Sequence, residues 1–333
     1  MKEKINKKVS GPSMILTDYL VPGMKHQWKL AKQIGVNHAT VRIPDDESFD
    51  LTNQSQLNDL SNLYLAYQIN PLIIEPFPNR LHDHIKRGDD RRDESIEKAI
   101  NMIPLLAKCG YKVICTNFMA EVGWYRTSAV IKERGGALVT GFNILDARID
   151  PNLVISEKAL WDNLSYFLNA IMPIAEKYDI SIALHPDDPP IKKLGKVSRI
   201  LTSKKNLQKA LDIYPSKNLG ITMCQGTFAA MGEDVCSCIE HFGSQGKIKF
   251  VHFRDISGNK EAFHETFHDN GMTDMDATIK QYKKIGYEGP IRIDHVPSME
   301  GEENDTPGYN TLGRLYAIGY LRGLCEANGY NLE

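Results

Sequence analysis

The 333-residue chain carries almost no net charge: 40 Lys and Arg stand against 42 Asp and Glu, leaving −2 at neutral pH. It therefore lacks the electrostatic footprint of a nucleic-acid or anionic-membrane binder. Long apolar runs are missing as well, and no segment reaches the roughly 18 apolar residues of a membrane helix. The first twelve residues are basic, but the following SMILTDYLVP breaks at Asp18 and Pro22 before the apolar stretch and cleavage site of a signal peptide are complete. Cysteine is sparse. Its six copies are scattered, and the one close pair, Cys236 and Cys238, points to different faces if it lies on a helix. A reduced, cytoplasmic protein is expected, with no nucleic-acid or membrane partner and with self-association into a homo-oligomer left open. No G-x-G-x-x-G follows the early strands, which argues against a dinucleotide-binding open sheet. No linker or low-complexity segment divides the chain, and 42% hydrophobic with 25% charged residues excludes wholesale disorder.

What the chain does contain is alternation. Short β-branched or apolar runs at 14–19, 37–43, 71–75, 111–116, 180–185, 219–224, 248–253 and 290–294 read as strands. Between them, 24–34, 94–108, 155–178, 203–213 and 274–285 repeat apolar residues every three or four positions and read as amphipathic helices. Gly35, Gly110 and Gly286 sit where helix C-caps are needed before the next strand. Eight β then α units, spaced about 30 to 40 residues apart, predict a single (β/α)₈ TIM barrel over 13–333 behind a flexible segment 1–12. One interval is longer: 117–154, rich in Gly, Arg and Thr, is expected as an active-site loop after the fourth strand.

Catalytic groups of a barrel project from the C-terminal ends of its strands. Strands five to eight end on His185, Cys224, His252 and Asp294, four metal-ligand types aimed at one axis. Glu75 ends the third strand and is expected to touch substrate or a ligand. Asp187 lies in HPDDPP, where a turn-capping role competes with a substrate role. Arg254 and Asp255 follow His252, and His264 and His268 lie on the next loop as substrate contacts or supports. Alternation puts Arg292 on the same strand face as Asp294. Its guanidinium fork suits a substrate carboxylate, with Arg126 or Arg254 as substitutes. His295, the first residue past the last strand, suits proton transfer at neutral pH.

CTNFM (115–119), W-x-R-T (124–127), HPDDPP (185–190), GITMCQGT (220–227), VHFRD (251–255), FHETFH (263–268), RIDH (292–295) and PGY (307–309) together resemble the mannonate dehydratases, barrels of the xylose-isomerase-like group. The resemblance implies removal of water from D-mannonate to give 2-keto-3-deoxy-D-gluconate. It implies Mn²⁺ held by His185, Cys224, His252 and Asp294, although a thiolate also suits Fe²⁺ or Zn²⁺. It further implies catalytic roles for His295, Tyr309 and Arg292. Glu75, Asn117, Arg126, Asp187, Arg254 and His264 are expected to meet the substrate. Without the resemblance, Tyr309 reads as a helix-entry aromatic. The first strand departs from the family pattern, as do Ile293 and Val296 in the last, and these changes bear on the choice of sugar acid. A sugar isomerase or epimerase, a dehydratase of another aldonate, and a non-catalytic relative are the alternatives.

Overall fold

The computed structural model describes residues 11–23 and 25–333. Most of the basic segment expected to be flexible, 1–10, lies outside the described residues.

Eight parallel strands form one ring: β1 (Ser13–Tyr19), β2 (His38–Val41), β3 (Asn70–Ile74), β4 (Val113–Thr116), β5 (Ser181–Leu184), β6 (Leu219–Cys224), β7 (Ile248–Phe253) and β8 (Pro290–Ile293). Each pairs with the next, and β1 pairs with β8 through Ile15 opposite Pro290, Leu16 opposite Ile291 and Thr17 opposite Arg292, which closes the barrel. The strands are nearly continuous apolar runs because both of their faces are covered. Outside them, a core running from Met14 to Tyr330 packs against the helices. Inside, Ile73, Val113, Cys115, Ala183 and Phe250 form a separate plug. Toward the C-terminal end the lumen turns polar, with Thr17 and Thr40 hydroxyls 3.1 Å apart and Thr222 3.2 Å from the Cys115 sulfur. A two-residue strand, Asn331–Leu332, adds to the start of β1.

All eight expected strands are present, and β5 and β8 end one residue earlier than read, so His185 and Asp294 are the first residues beyond them. Gly35, Gly110 and Gly286 take positive φ, as the C-caps require. The segment 117–154 is not a plain loop. Its strands Ser128–Lys132 and Leu138–Asn143 join the hairpin Ile256–Asn259/Ala262–Glu265 in a four-stranded antiparallel sheet beyond the C-terminal ends of β4 and β7. Gly141 lets those layers meet, because the tip of Ile131 and the Phe263 carbonyl occupy the place of a Cβ. Among the described residues no helix is long and apolar enough to cross a membrane. All six cysteines are free.

Candidate active site

A cavity of about 320 Å³ opens at the C-terminal end of the barrel. On one side, strands β5 to β8 deliver four donors. His185 Nε2 lies 3.2 Å from His252 Nδ1, and both rings lie within 4.8 Å of the Cys224 sulfur. Asp294 Oδ2 stands 3.5 Å from His252 Nδ1 and 4.0 Å from the Cys224 sulfur. His185 turns its other nitrogen, Nδ1, to the Pro186 carbonyl at 2.6 Å, which fixes the tautomer and leaves Nε2 facing the cluster.

Charge explains the cluster's state. Burial would raise the Cys224 thiol pKa, but Arg254, with Nη1 3.4 Å from the sulfur, and His185 hold it well below its usual range. Asp294 is likewise held low against its burial, chiefly by Arg292 at 2.8 Å. For His252, burial and Arg292 disfavour the imidazolium, yet Glu75 and Asp294 prevail and raise it well above the ordinary value. The same concentration of negative charge suits a divalent cation. Two imidazoles, a thiolate and a carboxylate are a chemically suitable set for one. A neighbouring trio, Glu75, Cys115 and His252, suits a metal less well. Burial, with Glu75, pushes the Cys115 thiol up to about 11, and Arg292 already answers Glu75.

His295 follows Asp294 at φ +42°, a left-handed backbone rarely adopted by residues other than Gly, Asn or Asp. Its ring stacks on Trp124 with centroids 5.0 Å apart and meets Tyr309 edge-on at 5.1 Å. Its Nε2 lies 3.6 Å from Asp294 Oδ2, while Nδ1 is buried without a hydrogen-bond partner. Burial lowers the pKa of His295 and raises that of Tyr309 well above the usual phenol range. At neutral pH the pair is a neutral imidazole beside a protonated phenol.

Glu75, Asn117, Arg292, His295 and Tyr309 all line the cavity. Arg292 does not present an open fork: Nε and Nη2 bind Glu75 at 2.8 and 3.0 Å, and Nη1 binds Asp294. Four expected substrate contacts lie off the cavity wall. Asp187 accepts the backbone amides of Ile200 and Leu201, the turn-bracing alternative. Arg126 and Arg254 pair with Asp188 and Glu265 in a buried ring of two cations and two carboxylates. His264 sits on the hairpin, 3.6 Å from Glu133. These residues are close in sequence to cavity groups, but their side chains are taken up by partners outside the cavity wall. Trp124, although within W-x-R-T, was not singled out by the sequence. Neither were Asn79, Asp83 and Lys86, which line the cavity from the helix Asn79–Arg87.

A family model described as D-mannonate dehydratase (UxuA) matches residues 28–150 and 144–331. The chain is 36% identical over 285 residues to mannonate dehydratase 2 of Halalkalibacterium halodurans, covering 77% of this chain and 81% of that protein. It is 33% identical over 338 aligned residues to a mannonate dehydratase of Streptococcus equi subsp. zooepidemicus, covering 92% and 89%. The crystal structure of mannonate dehydratase from Streptococcus suis serotype 2 superposes with a TM-score of 0.85 at 28% identity, covering 97% of this chain and 96% of that one. An L-ribulose 3-epimerase, at 14% identity and a TM-score of 0.59, shares the fold alone.

Proposed function

The chain belongs to the D-mannonate dehydratase family, and from that premise we propose that it is a hydro-lyase converting D-mannonate to 2-keto-3-deoxy-D-gluconate and water. The observation that carries the reading is the convergence of two unlike sets on one cavity: four metal-ligand types from consecutive strands, and an imidazole in edge-on contact with a phenol. A pure binding protein has no need of the second set.

In this reading His185, Cys224, His252 and Asp294 hold one divalent ion, Mn²⁺ first, with Fe²⁺ and Zn²⁺ favoured by the softness of a thiolate. When bound, the ion supplies a Lewis acid that makes the proton α to the carboxylate easier to remove. His295 takes that proton from C2 at Nε2, the nitrogen on the ligand side. Tyr309 returns a proton to the hydroxyl leaving C3, and the resulting enol tautomerises to the 2-keto acid. Trp124 orients the imidazole by stacking. Arg292 places a buried cation beside the developing charge, and its pairing with Glu75 and Asp294 fixes its position. The free cysteines and the absence of a crossing helix among the described residues support a cytoplasmic setting.

The test is incubation of the purified protein, loaded in turn with Mn²⁺, Fe²⁺ or Zn²⁺, with D-mannonate and other aldonates, following formation of the 2-keto-3-deoxy acid. His295→Asn and Tyr309→Phe are expected to keep their metal and lose about 10²–10⁴ in rate. Ketose epimerisation without dehydration of any aldonate overturns the reading.

A further inference from the structure

We propose that the helix Asn79–Arg87 is the specificity wall of the cavity, where Lys86 and Asp83 together grip the terminal C5–C6 diol of the sugar acid. The inference rests on the dehydratase reading above and names residues that reading does not use.

Placement comes first. Asn79, Asp83, Lys86 and Arg87 are spaced i, i+4, i+7 and i+8, which brings them to one helical face, and all four line the cavity. The helix follows β3, and in an eight-strand ring β3 stands across from β7, in the middle of the strands that supply His185, Cys224, His252 and Asp294. A six-carbon acid reacting at C2 and C3 on the ligand side therefore directs its remaining hydroxyls toward this helix.

Availability comes second. Arg292 is spent on Glu75 and Asp294. Arg87 is more than one-third exposed at the rim and pairs with Glu121 at 3.0 Å. Lys86 is different. Its side chain is only 3% exposed, and among the described residues its ammonium makes one ion pair, with Asp83 at 2.9 Å. An ammonium has three donors, and a buried cation left with one partner is costly unless something else completes it. Burial draws the lysine pKa down, with Asp83 opposing. Asp83 is 40% exposed and keeps acceptor capacity. A donor and an acceptor held side by side match a vicinal diol, in which each hydroxyl both gives and accepts a hydrogen bond.

The pair is also pre-organised. His82, one turn earlier, is buried against the rings of Phe77, Phe118 and Phe167 at 5.0 to 5.9 Å and meets the Thr116 hydroxyl at 3.3 Å. The carbonyl of Lys86 accepts from Asn163 at 3.0 Å. A rigid support of this kind gives precision to a binding group.

The experiment compares D-mannonate with the four-carbon aldonate of the same configuration at C2 and C3, using Lys86→Met and Asp83→Asn, the latter altering a side chain exposed enough to spare the fold. Both variants should raise KM and the calorimetric Kd for D-mannonate, Lys86→Met by about 10- to 100-fold, the scale of a lost charge-assisted hydrogen bond. kcat and both constants for the four-carbon acid should be unchanged. Equal losses on both acids, or no loss on either, overturn the proposal. If wild type binds D-mannonate without converting it, the dehydratase reading falls, and the Kd comparison still decides on Lys86. If wild type neither binds nor converts it, both fall.

Discussion

His268 is 1% exposed, donates from Nε2 to the Phe253 carbonyl at 2.8 Å and stacks on the Phe253 ring. Burial is the main cause that lowers its pKa to about 4. Between the unfolded value near 6.5 and that folded value, the unfolded chain binds a proton the folded state refuses, so stability falls as pH falls. Asp255 acts in the opposite sense: burial raises it to about 6, so from about pH 6 downward the folded state holds the extra proton. The contribution of His268 is therefore read as a difference between proteins. Relative to His268→Phe, wild type should lose about 2 kcal/mol of urea-unfolding free energy between pH 7.5 and pH 5. A difference that stays flat over that range refutes the assignment. Reading a sequence finds such residues without finding their partners. The chemistry near Arg126 and Arg254 was visible in W-x-R-T and VHFRD, but what each guanidinium faces was not. Arg126 meets Asp188 and Glu265, 62 and 139 residues away, and only the closed ring brings them together.

Elements differ in how plainly they are written. The barrel strands were legible because burial on both faces demands nearly continuous β-branched and apolar runs, as in ISIALH and IKFVHF. The antiparallel sheet beyond the barrel was not, because Ser128–Lys132 and Ala262–Glu265 are short, half-exposed and interrupted by charge. The helix Asn79–Arg87 escaped notice for a related reason: NRLHDHIKR has two apolar residues, Leu81 and Ile85, and its other buried groups are the polar His82 and Lys86. The hairpin earns its place by carrying Glu265, which accepts from both Arg254 and Arg126. Its close strand pairing depends on Gly258, opposite Phe263 at φ +118° with the Ala262 carbonyl where a Cβ would lie. Gly258→Ala is expected to destabilise the hairpin by about 1–3 kcal/mol. Hydrogen exchange should then accelerate across 256–265 while the amides of β1 to β8 stay protected. Uniform acceleration over the whole chain counts against a local role.

For the whole molecule, ligand binding and stability are linked, because an ion that binds only the folded ring stabilises it by mass action. Chelation should lower the melting temperature. Restoring Mn²⁺ to a hundred times its Kd should return about 2.7 kcal/mol. Cys224→Ser should blunt that response, since it removes the thiolate donor; an unchanged metal-dependent shift would take the sulfur out of the ligand set. The order of strands around the ring has one further consequence. Every donor of the ligand cluster comes from the half of the chain beginning at Ser181, whereas the helix Asn79–Arg87, Asn117 and Trp124 come from the half before it. Recombination at the turn near Asp179 can therefore import a foreign substrate wall while leaving the reactive centre in its native chain. Glu75, Trp124 and Arg126 are groups that such a graft must carry across, because Glu75 reaches over the junction to Arg292 and His252, Trp124 stacks on His295, and Arg126 pairs with Asp188 and Glu265.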